Sequence, residues 1–331
     1  ELRIKRKAAK MRHNSEKYKV AVIGAGISGL SASWLLSKKH DVTVFEADAH
    51  FGGHANTVNA ITAEGVVPVD TGFIVFNDRT YPRFEQLLAR LNVKALATEM
   101  SFSVHNATTG LEYNGNTLSS LFAQKRNILR PRFWIFIREI LRFNKHCKQA
   151  FSADNYQYQT LGELLDTEGF SDFFSEHYIL PMGAAIWSAS EDVMLAFPLK
   201  FFLNFFNNHG MLSVDARPQW RVISQGSQTY IKPIIQPYKD RIKLNTPVEK
   251  IERKADGINV HTSKGEVIEF DQVVLACHSD QALAMLDEPS QAESDILGAI
   301  PYQMNEVVLH TDRRLMPKRK LATISPTIGL N

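Results

Sequence analysis

Apolar and polar residues along this chain follow two periods, one typical of buried strands and one typical of helices. The unbroken apolar run Val20–Ile23 predicts a buried strand, and the helical spacing of apolar residues from Leu30 onward predicts a helix directly after it. Asp41–Phe45 has the pattern of a second strand. Residues from about 80 to 215 are largely helical in pattern, with "RFEQLLARLNV" and "TLGELLDTEGF" as amphipathic segments.

Strand patterns return after Gly226. The segments "RIKLNTPVEKIER", "GINVHTS" and "EVIEFDQVVLAC" predict a meander, and its last run, Asp271–Ala276, predicts a buried strand that rejoins the parallel sheet. "GVVPVDTGFIVFN" predicts a pair of short strands around Asp70–Gly72, and "YQMNEVVLHTD" predicts one more strand.

These elements together predict an α/β fold. A Rossmann-like nucleotide-binding domain with a parallel sheet is interrupted by a mostly helical α+β substrate domain. The predicted boundaries are 1–17 for a disordered basic leader, 18–79 and 221–285 for the two parts of the nucleotide-binding domain, 80–220 for the helical insertion, and 286–331 for a substrate-domain strand with an incomplete C-terminus.

Composition and charge narrow the class of protein. Of 331 residues, 44% are hydrophobic and 22% are charged, which is typical of globular domains, and no apolar run has the length of a membrane span. Eight of the 38 Lys and Arg residues lie in residues 1–19, so the rest of the chain is slightly acidic. The leader has no apolar core of a secretory signal and no interleaved aromatic residues, so we expect neither secretion nor nucleic-acid binding.

The residue types used for hydrolysis and metal binding show no suitable spacing. Cys147 and Cys277 are far apart and form no CxxC pair, which suits a reducing cytoplasm. The 11 histidines include no HExxH, and there is no GxSxG. We therefore predict a cytoplasmic protein with no metal and no hydrolase chemistry.

A glycine pattern follows the first predicted strand. In "VIGAGISGL", Gly24 permits a tight turn, Gly26 permits close approach of a phosphate, and Gly29 permits packing of the helix on the strand. Glu46 ends the second strand about twenty residues later, where an acid accepts from a ribose hydroxyl and disfavours a 2′-phosphate. An ordinary strand-to-helix turn is the alternative, but the acid at this distance favours a dinucleotide site.

The motifs "VIGAGISGLSASWLL", "VFEADAHFGGHANTV" and "VDTGFIVFN" resemble the opening of FAD-dependent amine oxidases and phytoene desaturase-like flavoproteins. The stretches "LPMGAAIWSAS", "FFNNHGML", "RPQW" and "LACHSDQAL" resemble, more closely, a bacterial subgroup of predicted NAD/FAD-binding proteins associated with cyclopropane fatty acid synthase. The resemblance extends from Tyr18 to about Pro317. It implies that the nucleotide-binding domain binds FAD, that the protein is a flavoprotein oxidoreductase, and that a lipid-modifying enzyme is a partner.

The resemblance also implies the FAD-binding residues. The glycine turn holds the pyrophosphate, Glu46 the adenosine ribose, and the double-glycine segment a phosphate, although His54 stands where the family usually has Arg. Thr71 and Gly72 fall where the family's backbone passes the isoalloxazine ring, and the backbone of Val248 meets adenine. The full predicted set is Gly24, Ala25, Gly26, Ser28, Gly29, Glu46, Ala47, Gly53, His54, Thr71, Gly72 and Val248.

Two departures from the family bear on function. Amine oxidases usually carry a lysine near the flavin on the strand that resembles "YQMNEVVLHTD", and here the neighbourhood reads Gln303–Glu306, so an amine substrate is disfavoured. Asn305 and Glu306 are candidate polar site residues, although a solvated strand end is the commoner explanation. The family's glycine-rich C-terminal FAD segment has no counterpart after Pro317, so we expect a truncated chain that binds FAD weakly through its ADP half.

Three functions remain open from the sequence. The leading hypothesis is an FAD-dependent oxidoreductase that takes a hydride equivalent from an apolar, lipid-linked small molecule; the sequence identifies no catalytic residue for it. The second is a catalytically weak flavin-binding partner of a lipid-modifying enzyme. The third is a plain NAD-dependent dehydrogenase, which the double-glycine segment disfavours.

The segment "PRFWIFIREILRFNKHCKQ" allows two interpretations. Its apolar stripe, with Phe133, Phe136 and Ile140, is typical of a core helix. Its basic residues also suit an interfacial helix over residues 131–148 that rests on anionic lipid at the inner face of the membrane. Periodicity does not separate these two interpretations.

Overall fold

The computed structural model describes residues 17–63, 65–152, 157–212, 218–304, 308–312, 314 and 316–322. Apart from its last residue, Lys17, the predicted basic leader lies outside the described residues.

Short strands are spread along most of the chain. They are β1 Lys19–Ile23, β2 Asp41–Phe45, β3 Thr57–Thr62, β4 Gly65–Asp70, β5 Phe76–Asn77, β6 Ala95–Thr98, β7 Ser103–Asn106, β8 Leu111–Asn114, β9 Trp220–Ile223, β10 Ile242–Lys243, β11 Val248–Lys254, β12 Gly257–Thr262, β13 Val267–Phe270 and β14 Gln272–Leu275.

Helices concentrate in the middle of the chain. They are α1 Ile27–Leu36, α2 Pro82–Arg90, α3 Leu118–Leu121, α4 Pro131–Ser152, α5 Leu161–Thr167, α6 Asp172–Phe174, α7 Leu180–Trp187, α8 Glu191–Leu195, α9 Leu199–Asn208, α10 Ile231–Ile235, α11 Ser279–Met285 and α12 Gln291–Leu297. A π-helix occupies Ser175–Ile179, and 3₁₀ turns occupy Lys125–Leu129, Ser227–Tyr230, Gln236–Arg241 and Lys320–Ala322.

The chain divides into two compact units. The first is drawn from Glu1–Ile74, Leu87–Lys94 and Ile223–Met304, and the second from Val75–Gln86, Ala95–Val222 and Asn305–Asn331. Each unit therefore combines segments that are distant in the sequence. The domain boundaries predicted from the sequence stay predictions.

A parallel sheet with strand order β10-β2-β1-β14 forms the centre of the first unit. Ile23 of β1 lies between Phe45 of β2 and Leu275 of β14, so the carboxyl ends of all three strands meet at one edge. Ala21 and Val22 are fully buried, as expected for a strand covered on both faces. The predicted return of the last strand to the parallel sheet is confirmed, as is the α/β fold class.

The predicted meander is also present in the first unit. β11, β12 and β13 pair antiparallel in sequence order, and Phe270 packs edge-on against Phe45 with ring centroids 5.8 Å apart. β3 and β4 form a separate hairpin whose register pairs Thr57 with Asp70. This hairpin places Asp70–Gly72 beside the segment that precedes β3.

Aromatic side chains fill the core of the second unit. Phe143 of α4 lies 5.5 Å from Phe174 and 6.5 Å from Phe202, measured between ring centroids. Phe133 and Phe136 are buried in the same core. The buried part of the apolar stripe, with Phe133 and Phe136, thus packs in the protein core, and the predicted peripheral membrane contact of residues 131–148 stays a prediction.

Two stretches differ from the predicted secondary structure. Residues 95–114, expected to be helical, contain β6, β7 and β8, each of four residues and too short to show a period. Residues 301–304 and 308–312 form no strand where one was predicted, and the candidate residues Asn305 and Glu306 lie outside the described residues.

Candidate dinucleotide-binding site

Two glycines of the turn between β1 and α1 are required by packing. Gly24 has a φ of +102°, its amide donates to the Phe45 carbonyl at 2.8 Å, and an added Cβ would lie 2.6 Å from the Ala276 carbonyl oxygen. An added Cβ at Gly29 would overlap the Gly24 carbonyl oxygen. A side chain at either position would therefore push apart backbone segments of the parallel-sheet edge.

Gly26 has no such requirement within the protein. Its φ is −72°, which any residue adopts, and an added Cβ would meet no atom within 4 Å. Gly26 precedes α1, whose first turn has no side-chain cap, and Ser28 in that turn is exposed. Open space beside uncapped amides at the positive end of a helix dipole fits a pyrophosphate.

Glu46 stands at the carboxyl end of β2, beside this turn. Its carboxylate accepts hydrogen bonds from the Ala25 amide at 2.6 Å and the Asp48 amide at 3.0 Å. The side chain is half-buried, and its oxygens keep lone pairs for further donors. A ribose diol is a donor pair of the right kind, and the exposed Ala47 follows at the same edge.

The double-glycine segment lies directly on the turn. The Gly52 amide donates to the Ala25 carbonyl at 2.7 Å, and Gly52 forms a parallel bridge with Gly26. An added Cβ at Gly53 would lie 3.1 Å from the Gly26 Cα. The glycine turn of residues 24–29 and the double glycine of residues 52–53 are separated in the sequence but lie in contact. Together they form one glycine cradle.

His54 and Gly72 connect this cradle to the β3–β4 hairpin. The His54 carbonyl accepts from the Phe73 amide at 2.8 Å, and an added Cβ at Gly72 would overlap that carbonyl oxygen. The Thr71 amide donates to the Asn56 carbonyl at 3.0 Å, and the Asn56 side chain donates to the Thr71 hydroxyl at 3.0 Å. The position of Thr71 and Gly72 is therefore fixed by backbone contacts to the double-glycine segment.

Val248 begins β11, close to Glu46 along the sheet edge. The Asn245 amide donates to the Asp48 carbonyl at 3.0 Å, and the Thr246 amide donates to the Glu46 carbonyl at 2.8 Å. The half-buried Val248 packs on the apolar cluster that contains Phe45. The structure thus brings the predicted pyrophosphate, ribose and adenine residues together, and their contacts with FAD stay predictions.

Sequence reasoning missed two features of the site. Ala276 and Cys277 follow β14 and pack against Gly24, and burial raises the pKa of the Cys277 thiol. Asp70 accepts from the Thr57 hydroxyl at 2.7 Å and from both the amide and the hydroxyl of Ser227 at 2.8 Å. The packing of Ala276 and Cys277 on Gly24 is predictable from the rule that loops at the carboxyl edge of a parallel sheet converge. Nothing in the sequence indicates the hydrogen bonds of Asp70.

Metal-binding side chains do not gather in the part of the chain that the structure describes: it contains no group of three or more His, Cys, Asp or Glu residues arranged to hold an ion. The candidate site is therefore a set of backbone amides, glycines and one carboxylate.

The parallel sheet, the glycine cradle and the acid at the end of β2 define a dinucleotide-binding protein of the α/β class. The sequence model of the protein family described as flavin containing amine oxidoreductase matches residues 27–330 of this chain. The chain belongs to this family, whose cofactor is FAD, as the sequence resemblance predicted.

Individual relatives are distant. The chain is 24% identical to the flavin-containing amine oxidase A of Bos taurus over 271 residues, covering 79% of this chain and 50% of that protein. It thus spans about half the length of the curated relatives it matches.

Solved structures share the fold at low identity. Cyclohexylamine oxidase from Brevibacterium oxydans IH-35A has a TM-score of 0.63 at 17% identity, covering 86% of this chain and 63% of that one. A CLA-producing fatty acid isomerase from P. acnes has a TM-score of 0.51 at 17% identity, covering 85% and 63%.

Proposed function

We propose that this chain is the FAD-binding part of an oxidoreductase that takes a hydride equivalent from an apolar, lipid-linked small molecule. The open space at Gly26, beside the uncapped first turn of α1, is the main observation that supports FAD binding. FAD supplies two-electron acceptor chemistry to such enzymes, and the protein supplies binding, orientation and exclusion of water.

The chain's own residues would divide the binding of FAD between them. Amides of the first turn of α1 would meet the pyrophosphate, and the Glu46 carboxylate would accept from the ribose hydroxyls. Because Gly53 has no side chain, the double-glycine segment packs closely against Gly26. The same absence of a side chain would let this segment approach the phosphates. Thr71 and Gly72, fixed by Asn56 and His54, would pass beside the ring.

Two observations support an apolar substrate over an amine. The sequence from Tyr302 to Asp312 contains no lysine, whereas the resemblance places a lysine of amine oxidases on this segment. The same fold also occurs in a protein named as a CLA-producing fatty acid isomerase, so an enzyme named for a fatty acid shares this architecture.

Two other functions were considered from the sequence. A catalytically weak flavin-binding partner of a lipid-modifying enzyme would also bind FAD, in the same cradle. A plain NAD-dependent dehydrogenase is disfavoured because the family is one of flavoproteins.

Anaerobic reduction of the FAD-loaded chain distinguishes these functions. We expect slow bleaching of the flavin absorbance with unsaturated or saturated long-chain lipids, because the chain holds FAD mainly through its ADP half, and no bleaching with diamines or cycloalkylamines. The Gly26→Val variant, mixed with the same FAD, serves as the unloaded control. Reduction of the flavin by amines and by none of the lipids would overturn the proposal of an apolar, lipid-linked substrate. Flavin that stays oxidised with every compound, in a chain that co-purifies with a lipid-modifying enzyme, would favour the partner role, and release of NAD alone on denaturation would overturn the cofactor.

A further inference from the structure

Several large apolar side chains before and at the start of α4 are exposed. Leu129 is 86% exposed and Ile128 is 48% exposed, on the turn that precedes the helix. Trp134 is 51% exposed, and its indole N–H donates to the Ile128 carbonyl at 2.8 Å. Ile135 is 46% exposed beside it. The hydrogen bond joins the turn and the helix into one apolar surface within the second unit.

The polar residues around these side chains are basic. From Leu118 to Gln149 the sequence contains eight Lys and Arg residues and a single acid, Glu139. Glu139 is buried, and its carboxylate accepts from the amide and the hydroxyl of Ser171 at 2.8 and 2.6 Å. Because that one acid points into the core, the exposed face of this stretch carries positive charge alone.

Three of the basic residues lie close to the apolar side chains in sequence. Lys125 begins the turn, Arg130 directly follows it, and Arg138 lies one helical turn after Trp134. Among the residues that the structure describes, no carboxylate lies within ion-pair distance of these three side chains. Their charges are free to meet an external anion.

We propose that this face, the basic–aromatic surface of Lys125, Ile128, Leu129, Arg130, Trp134, Ile135 and Arg138, docks the protein on a membrane that contains anionic lipid. Tryptophan and aliphatic side chains at an interface bury apolar area among lipid headgroups, and nearby Lys and Arg residues bind the negative surface. The proposal does not depend on the flavin chemistry.

Trp134, Ile135 and Arg138 lie within the predicted segment 131–148, but the apolar side chains of the proposed surface are not those of the predicted stripe. Periodicity pointed to the stripe of Phe133 and Phe136, which the core buries. The structure leaves the opposite side of α4 and the preceding turn for a partner. No described helix is long and apolar enough to cross a bilayer, so the contact proposed is with the membrane surface.

Charge argues against the other occupants. A two-fold contact between copies would place this positive surface against itself, and like charges at an interface are costly. A nucleic acid would use the basic residues, but it would leave Leu129 and Ile128 without an apolar environment.

Co-sedimentation with vesicles tests the proposal on the full chain. We compare phosphatidylcholine vesicles with vesicles of phosphatidylcholine and phosphatidylglycerol. Preferential binding to the anionic vesicles is expected, weakening with added salt because the attraction is electrostatic. Leu129→Ser should lower the partition coefficient roughly tenfold, the value of one buried leucine. Arg130→Glu with Arg138→Glu should lower it by at least about 25-fold, roughly fivefold for each charge removed.

Matched variants control for exposure and charge. Ile61 is also 86% exposed, so Ile61→Ser removes an equally exposed apolar side chain from the β3–β4 hairpin, and Lys39→Glu reverses an exposed charge elsewhere. Both should bind vesicles like the unaltered chain, and all variants should keep its circular dichroism. Equal binding to neutral and anionic vesicles, equal loss in the control variants, retention of duplex DNA without vesicle binding, or a dimer dissociated by Leu129→Ser would each overturn the proposal.

Discussion

Gly24 and Gly26 belong to one turn but are glycine for different reasons. At Gly24 the positive φ and the Ala276 carbonyl exclude a side chain, so the fold itself demands glycine. At Gly26 the φ angle is one that any residue adopts and the space beside the Cα is open, so the fold does not require glycine there. The glycine at position 26 is therefore expected to leave room for a ligand.

Gly26→Val should therefore separate folding from cofactor binding. We expect a loss of no more than about 1 kcal/mol in the free energy of unfolding, since Gly26 is only a modest helix cap. Affinity for FAD should fall by at least the roughly 10- to 150-fold effect of a single hydrogen bond to a charged group, because the valine occupies the pyrophosphate's place. Fluorescence titration and thermal unfolding measure the two effects.

Gly115→Val is the control for this variant. Gly115 lies in the second unit, and an added Cβ there would meet only the Phe102 carbonyl oxygen at 3.8 Å. This variant should bind FAD normally. Unchanged FAD affinity in Gly26→Val would show that the open space is not the phosphate site.

Glu46→Ala should weaken FAD binding by about 1–3 kcal/mol, the size of a hydrogen bond to a charged group. The structure adds a second effect, because the Ala25 and Asp48 amides also lose their acceptor. We therefore expect a small loss of thermal stability without cofactor, and a larger loss of affinity in a titration of the apoprotein. Glu249→Ala, at an exposed position on β11, should change neither; equal FAD affinity for Glu46→Ala and the unaltered chain would remove the ribose assignment.

At the scale of elements, the π-helix Ser175–Ile179 holds a buried histidine. His177 is 3% exposed, stacks on Phe173 with ring centroids 4.3 Å apart, and neither of its ring nitrogens has a hydrogen-bond partner among the described residues. Burial lowers the pKa of His177 below its ordinary value of 6.5, although Glu176 opposes this shift. Burial in the folded state therefore disfavours the protonated imidazole.

This histidine should make stability depend on pH. Well above pH 6.5 the imidazole is neutral in both states and does not affect stability. As the pH falls through about 6.5, the unfolded chain takes up the proton before the folded chain does. Stability should fall as the pH drops from 7 to 5, with a slope from this one group of at most about 1.4 kcal/mol per pH unit. His177→Leu should flatten the profile measured by denaturant unfolding. Parallel profiles for His177→Leu and the unaltered chain would contradict the assignment.

The β7–β8 hairpin holds a later segment of the chain through one carboxylate. Glu112 is 4% exposed, accepts from the backbone amides of Lys318 and Arg319 at 2.9 and 3.0 Å, and lies 3.7 Å from His105. Ser103 donates to the Ala322 carbonyl in the same contact. The segment 318–322 is thus fastened to the hairpin by hydrogen bonds to its backbone.

Glu112→Ala should release that segment. Backbone held in this way resists proteolysis, so we expect trypsin to cleave after Lys318, Arg319 or Lys320 several times faster in the variant. Mass spectrometry of the early fragments measures the rate at each site. Glu269→Ala, an exposed change on β13, is the control; unchanged cleavage in Glu112→Ala would show that this carboxylate does not hold the segment.

At the scale of the whole molecule, continuous patterns were predictable and long-range contacts were not. β1, β2, β14 and the glycine turn follow from unbroken apolar runs and fixed spacings, so the parallel sheet and the cradle were predicted from the sequence. β6, β7 and β8 are too short to carry a period. The bond between Asp70 and Ser227 joins residues 157 positions apart, and no local pattern encodes it.

The same limit explains the two outcomes on α4. Its hydrophobic period correctly identifies a helix with one buried face. Periodicity does not tell whether protein or lipid buries that face, because both are apolar. That distinction depends on Phe143, Phe174 and Phe202, which meet only once the second unit has folded.

We expect this chain to bind FAD through its ADP half, in the cradle of the first unit. Competition at equilibrium tests it most directly, with flavin fluorescence followed as ADP or 2′-phospho-ADP is added to the FAD-loaded chain. We expect ADP to displace FAD and 2′-phospho-ADP to compete far less well, because the Glu46 carboxylate repels the extra phosphate. No displacement by ADP, or equal displacement by the two nucleotides, would contradict it.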